Sequence, residues 1–444
     1  MRTLLVLALS TGLPARTHAD RLAAVRQPST HISPSACLLP LLLFATGCRR
    51  STFPDYPAGY REFAYVANSG SDTVSILDLV YLRTDRTLRV GADPVAVAAS
   101  PVRDEVYVLS AQPQQTSGAL AIINTRTNSV AATIPLQRNP RALTLNHPGS
   151  RAYVANAGSS SISVLDLAAR RSVASISTSG PPGDLLLAPD ARTLVVALPS
   201  TGSVTLFSVN EPSAPPPSTR HPHPAATSIT GPALVPRAIF SGCPGATSPV
   251  ILPDSSKTFI ACPGSNQVLV LSLAAAPSTW AAQQDPTLMK DHQVALLDTG
   301  RGPTHLTMKP DGGEIFVSNS ASDSVSEIAT ETNEVGSTYP IGNRPTEGLV
   351  SADNSALWIA DWGADSLSLY SISDGKLVSS IRTGVSPAAL AFSADEQLLL
   401  AADQTSGDVA LIRTTSRLGP ALFTLLPSGS APSAIAVKAM QPHR

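Results

Sequence analysis

Apolar and polar positions along this chain recur at a long, nearly constant interval. The unit begins with an aromatic or leucine residue followed by small or branched apolar ones. It reads Tyr65-Val66-Ala67-Asn68, Tyr107-Val108-Leu109-Ser110 and Tyr153-Val154-Ala155-Asn156, then Leu194-Val195-Val196 and Phe259-Ile260-Ala261. It continues as Phe316-Val317-Ser318-Asn319, Trp358-Ile359-Ala360-Asp361 and Leu399-Leu400-Ala401. The spacings between anchors are 42, 46, 41, 65, 57, 42 and 41 residues. A second run with strict alternation follows each anchor, as in Thr73–Leu79, Ser161–Leu167, Gln267–Leu271 and Ser324–Ile328. Period-two alternation rich in β-branched residues predicts strands.

A third strand is predicted at Val173–Ile176 and Leu377–Ile381. A Gly-x-x-Pro turn then leads into a fourth, at Gly91–Pro94, Gly300–Pro303, Gly342–Pro345 and Gly384–Pro387. That strand ends in Pro189-Asp190, Pro253-Asp254, Pro310-Asp311, Ala352-Asp353 or Ala394-Asp395. Asp suits such turns because its side chain bonds the backbone two residues on. Four short antiparallel strands per unit of this length make the blade of a β-propeller.

The repeats resemble those of the YVTN family, over nearly all of residues 62–438. The resemblance implies an all-β, single propeller of four-stranded antiparallel blades. Eight anchors predict eight blades; seven is the alternative if the fourth repeat is degenerate. The lone strand Pro432–Lys438 is predicted to pair with the N-terminal blade and close the ring, which removes exposed sheet edges. Inserts interrupt the pattern at 211–232, which is proline-rich, and at 274–292, where a short helix is predicted.

Residues 1–48 read as a targeting region and 49–61 as a linker to the propeller at 62–440. Its apolar runs, Leu4–Leu9 and Leu38–Phe44, are far shorter than the roughly 20 residues a membrane-spanning helix needs. The second leads into Ala45-Thr46-Gly47-Cys48, which resembles a lipobox with Ala45 in place of the usual Leu. On that reading Cys48 carries a lipid and the protein is an outer-membrane or cell-surface lipoprotein. The alternative is an ordinary signal cleaved near Ala19 and a periplasmic protein. Export permits disulfides, and Cys243 with Cys262, each opening a Cys-Pro-Gly triplet, is the expected pair.

Among 444 residues, 14% are charged and the net charge is -1. This excludes the basic footprint of a nucleic-acid binder, and a monomer is expected. No Cys-x-x-Cys-His, Gly-x-Ser-x-Gly or His-Glu-x-x-His motif is present, so no cofactor is evident and no standard catalytic motif can be assigned.

Aligning the fourth-type strands on their leading Pro singles out the position two residues on. It holds Ala96, Ala142, Asp184, Ser248, His305, Glu347, Ala389 and Ala434. These strands line a propeller's channel, so Asp184, His305 and Glu347 are expected at one depth near its mouth, as a divalent-metal site or as acid and base. Arg141, Arg301 and Arg344, in or beside the turns of the same face, are candidates for anion binding. Asp361 and Trp362 are candidates for a sugar or aromatic ligand. The expected function is a non-catalytic, envelope-anchored propeller that binds a partner protein, saccharide or small metabolite and meets the membrane only through its lipid. The resemblance implies two alternatives, a lactonase-like hydrolase with its site in the channel and an accessory protein of quinone-cofactor oxidation.

Overall fold

The computed structural model describes residues 56–112, 117–210, 233–276, 279–415 and 419–440. The targeting region with Cys48 and the proline-rich insert 211–232 lie outside them. In the second insert, Trp280–Gln284 forms the expected short α-helix, followed by a 3-10 turn at Pro286–Met289.

Eight four-stranded antiparallel sheets account for the described strands. We number the blades in chain order by their second strands, so that blade 1 holds Arg61–Asn68 and blade 8 holds Leu398–Asp403. The inner strand of blade 1 comes from the opposite end of the chain. Pro432–Met440 pairs with Arg61–Asn68, from Arg61 opposite Met440 to Asn68 opposite Pro432. Inner strands of consecutive blades touch all the way round, including Pro387–Phe392 against Pro432–Met440 and Pro432–Met440 against Pro94–Ala99. The ring is closed by eight blades, as the anchor count predicts.

The core lies between blades, and this explains why the second strand is apolar on both sides. Successive side chains of a strand point to opposite faces. In Arg61–Asn68, Phe63 and Tyr65 pack with Val106 and Val108 of blade 2, while Ala64 and Val66 pack with Leu398 and Leu400 of blade 8. Neither face meets water, so the run "FAYVA" has no polar partner positions. The outer strands do meet water: Arg83–Arg89 is mostly exposed.

The Asn that ends the anchor has a structural task. Asn68, Asn156 and Asn319 are fully buried, and their Nδ2 atoms donate to Ser75, Ser163 and Ser326 of the next strand at 3.0, 2.9 and 2.9 Å. The side chain thus ties two strands of one blade together across seven residues. The Pro-Asp and Ala-Asp turns are built as the sequence implies. The carboxylates of Asp190, Asp254, Asp311, Asp353 and Asp395 each accept the backbone N–H two residues on, at 2.9 to 3.1 Å. Cys243 and Cys262 are disulfide-bonded, with Cα atoms 4.7 Å apart. The bridge ties the entry of blade 5 to the end of that blade's second strand.

Removing Pro432–Met440 leaves Arg61–Asn68 as an unpaired edge that is buried in the intact ring. A chain ending at Pro427 is expected to lose cooperative thermal unfolding and to aggregate, measured by circular dichroism and size-exclusion chromatography. Retention of the parent melting temperature would show that closure is not what holds the ring.

Candidate functional site

Seven of the eight inner strands begin with an irregularity in their pairing, at Pro94/Ala96, Pro140/Ala142, Thr247/Val250, Pro303/His305, Pro345/Gly348, Pro387/Ala389 and Pro432/Ala434, while Leu185–Leu187 pairs without one. A bulge re-aims a side chain, and here it sets the residue two after the leading Pro. The eight aligned positions divide into two arcs. Blades 4 to 7 carry Asp184, Ser248, His305 and Glu347, and blades 8, 1, 2 and 3 carry Ala389, Ala434, Ala96 and Ala142.

The polar arc is partly structural. Asp184 Oδ2 accepts hydrogen bonds from Thr247 Oγ1 (2.6 Å) and Ser248 N (2.8 Å), which joins blade 4 to blade 5. Ser248 Oγ accepts from Leu306 N at 3.0 Å, joining blade 5 to blade 6. Glu347 Oε2 accepts from Leu390 N at 3.2 Å, joining blade 7 to blade 8. These bonds satisfy backbone donors near the bulges while the side chains stay at the channel.

His305 and Glu347 have perturbed protonation. Burial pushes the Glu347 carboxyl up to about 7, and the Leu390 N–H only partly offsets it. Burial lowers the His305 imidazolium to about 4, against the opposing attraction of the Asp184 carboxylate. Both retain some accessible surface, yet the channel walls displace enough bulk water for desolvation to prevail. At neutral pH His305 is an uncharged ring and Glu347 is poised between its two states.

Two cavities open at this mouth. One, of about 280 Å³, is lined by Thr304, His305, Arg344, Thr346, Glu347 and Trp362, among others. The Arg344 guanidinium lies over the Trp362 ring, 4.2 Å from its centroid, and the backbone N–H of Arg344 donates to Asp323 Oδ1 at 2.8 Å. Trp362 Nε1 donates to Gln404 Oε1 at 3.4 Å. The stacked, anchored guanidinium presents a cation to the same cavity as the imidazole and the carboxyl. The other cavity, of about 490 Å³, is lined by Arg141, Pro182, Gly183, Asp184 and Pro199, among others.

The structure therefore divides the sequence-derived candidates. It brings His305, Glu347, Arg344 and Trp362 together and places Asp184 with Arg141 in the second cavity. The expected metal triad is not assembled: among the described residues no group of three or more His, Cys, Asp or Glu is placed to hold a metal ion, because Asp184 and Glu347 are turned to backbone donors of different blades. Arg301 lines neither cavity. Asp361 turns inward rather than toward a ligand. It is buried, Ser368 Oγ donates to its Oδ2 at 2.6 Å, and burial raises its carboxyl to about 6. It occupies the place that Asn holds in blades 1, 3 and 6. Thr304 and Thr346, missed in the sequence, were reachable by the same register. They stand one residue before His305 and Glu347.

A family model described as "Lactonase, 7-bladed beta-propeller" matches residues 251–435, a span that contains every residue lining the smaller cavity. The described residues here form eight blades. No curated protein matches the chain. A solved dihydro-heme d1 dehydrogenase, NirN, is similar at 15% identity and TM-score 0.63, over 87% of this chain and 78% of that one. The periplasmic gluconolactonase PpgL of Pseudomonas aeruginosa is similar at 17% identity and TM-score 0.52, over 86% and 99%. A putative 6-phosphogluconolactonase of Bacteroides fragilis is similar at 14% identity and TM-score 0.53, over 87% and 100%. At such identities the likeness to solved structures shows the fold alone.

The raised carboxyl has a thermodynamic sign. Well below pH 4.5 Glu347 is neutral folded and unfolded alike. As pH rises towards 7, the unfolded chain ionises first and stability falls, by at most about 3.5 kcal/mol at 1.4 kcal/mol per pKa unit and by less once residual solvent screens it. Glu347→Gln cannot ionise. Its thermal stability relative to the parent is expected to grow between pH 5 and 8; a difference constant with pH would contradict the shifted carboxyl.

Proposed function

We propose that the protein is a lactonase-like hydrolase whose site is the cavity of His305, Arg344, Glu347 and Trp362. The observation that carries this reading is a carboxyl titrating at about 7 in one small cavity with an uncharged imidazole and a stacked guanidinium. A general base works best with its pKa near the working pH. The family model supports the reading, since its match spans the whole cavity. The expectation of a non-catalytic binder has no comparable support.

In this proposal the ionised Glu347 takes a proton from water as the water oxygen bonds to the lactone carbonyl carbon. The neutral His305 ring donates a hydrogen bond to the carbonyl oxygen as negative charge develops there. An uncharged imidazole can play this part, and a donor placed in advance stabilises the oxyanion without reorganising. The tetrahedral intermediate collapses by breaking the ring C–O bond, and the proton held on Glu347 passes to the leaving alkoxide. One water is consumed and a hydroxy acid is released. Arg344, its plane held against Trp362, orients oxygen atoms on the substrate's periphery.

The test is hydrolysis of glucono-δ-lactone and γ-butyrolactone by the purified chain, followed by pH-stat. Activity is expected to rise with pH through an apparent pKa of about 7 and to fall about 100-fold or more in Glu347→Gln. Rates equal to those in buffer for both lactones from pH 6 to 8 would overturn the proposal.

A further inference from the structure

The larger cavity is left unused by the proposed chemistry, and its position relates it to the smaller one. The residue directly after the leading Pro, or its aligned equivalent, forms an upper ring around the channel. Val95, Arg141, Gly183 and Thr247 of that ring line the larger cavity, and Thr304, Thr346 and Ala388 line the smaller one. The two cavities are thus successive halves of one channel mouth. They are also joined electrically, since the Asp184 carboxylate of the larger cavity is felt at the His305 ring of the smaller one.

The larger cavity has a specific chemistry. Its cation is Arg141, which is exposed and whose guanidinium makes no hydrogen bond or ion pair among the described residues. Its carboxylate is Asp184, with Oδ2 committed to Thr247 and Ser248 and lone pairs remaining for hydroxyl donors. Its walls include Pro182 and Pro199, rigid and apolar, with Gly183 between. A Cβ on Gly183 would lie 2.7 Å from Pro199 Cγ, so glycine is what keeps that wall close to its neighbour. An anion without hydroxyl donors would leave the free lone pairs of Asp184 unanswered. A purely apolar ligand would leave both charges unanswered. A ring with apolar faces, hydroxyl donors and one carboxylate satisfies every feature.

We infer that this half of the mouth is a subsite for a uronate sugar, its carboxylate on Arg141, hydroxyls towards Asp184 and a ring face on the prolines. Where the lactonase reading holds, on which this part of the inference rests, the substrate is an acidic disaccharide lactone. Its uronate occupies the larger cavity while its lactone ring reaches His305 and Glu347.

The direct test is calorimetric titration of the full chain with D-glucuronate and, as a neutral control, methyl β-D-glucoside. Glucuronate is expected to bind, and Arg141→Ala to weaken it by about tenfold to a hundredfold, the range for a hydrogen bond between charged groups. Arg141→Lys, which keeps the charge but loses the fork, is expected to fall between. Absence of glucuronate binding, equal binding of the neutral glucoside, or an unchanged Arg141→Ala isotherm would overturn the inference. The kinetic test compares kcat/KM for glucuronosyl-gluconolactone with that for glucono-δ-lactone. The ratio is expected to exceed one in the parent and to drop in Arg141→Ala. If neither lactone is hydrolysed yet glucuronate binds through Arg141, the lactonase reading fails and the subsite stands. If both are hydrolysed and glucuronate does not bind, the subsite fails alone.

Discussion

Each blade of this ring carries a second strand with no solvent-facing side, so each needs a neighbour on both flanks. A linear stack would leave two apolar flanks bare; a closed one leaves none. Closure therefore governs everything else, and it rests on Pro432–Met440 pairing with Arg61–Asn68 across nearly the whole chain length. The pairing recruits blade 1 from both termini and fixes the register of its inner strand. It also lets Phe63 and Tyr65 bury against blade 2 while Ala64 and Val66 bury against blade 8. The channel exists because these flanks are satisfied in a circle.

Three blades share one clamp at the end of the second strand, and the last two put an acid in its place. Asn68, Asn156 and Asn319 tie adjacent strands with a neutral amide. Blade 7 uses Asp361 and blade 8 uses Asp403. Burial raises both carboxyls, Asp403 to about 7 with help from a hydrogen bond to Asp408. Amide-to-acid exchange at one structural position thus brings titratable groups into the core beside the channel mouth without making them ligands. Asp403 therefore titrates close to neutrality, which an Asn at the same place cannot do.

Chemistry at the mouth arises from the same economy of position. The residue two after the leading Pro is alanine on one arc and polar on the other. The polar side chains also accept backbone N–H groups from the following blade. His305 is the exception, with no hydrogen bond contributing to its shift. The ring is thus left without a structural bond, beside a carboxyl that takes one. The guanidinium of Arg344 completes the cavity only because Trp362, from the next loop of the same blade, lies under it.

The sequence by itself determined the blade, the number of repeats, the closing strand and the ring of channel positions. All of these follow from period-two burial and from turn residues read in register, which are local properties repeated eight times. Asp184, His305 and Glu347 were legible as exceptions in one aligned column. Their different fates were not. How many donors of the next blade a carboxylate meets, two at Asp184 and one at Glu347, depends on how closely adjacent blades approach. The inward turn of Asp361 and the gathering of Arg344 and Trp362 around His305 were likewise decided by tertiary structure. Contacts between residues one blade apart are set by the tilt and spacing of whole sheets, and no spacing along the chain encodes those.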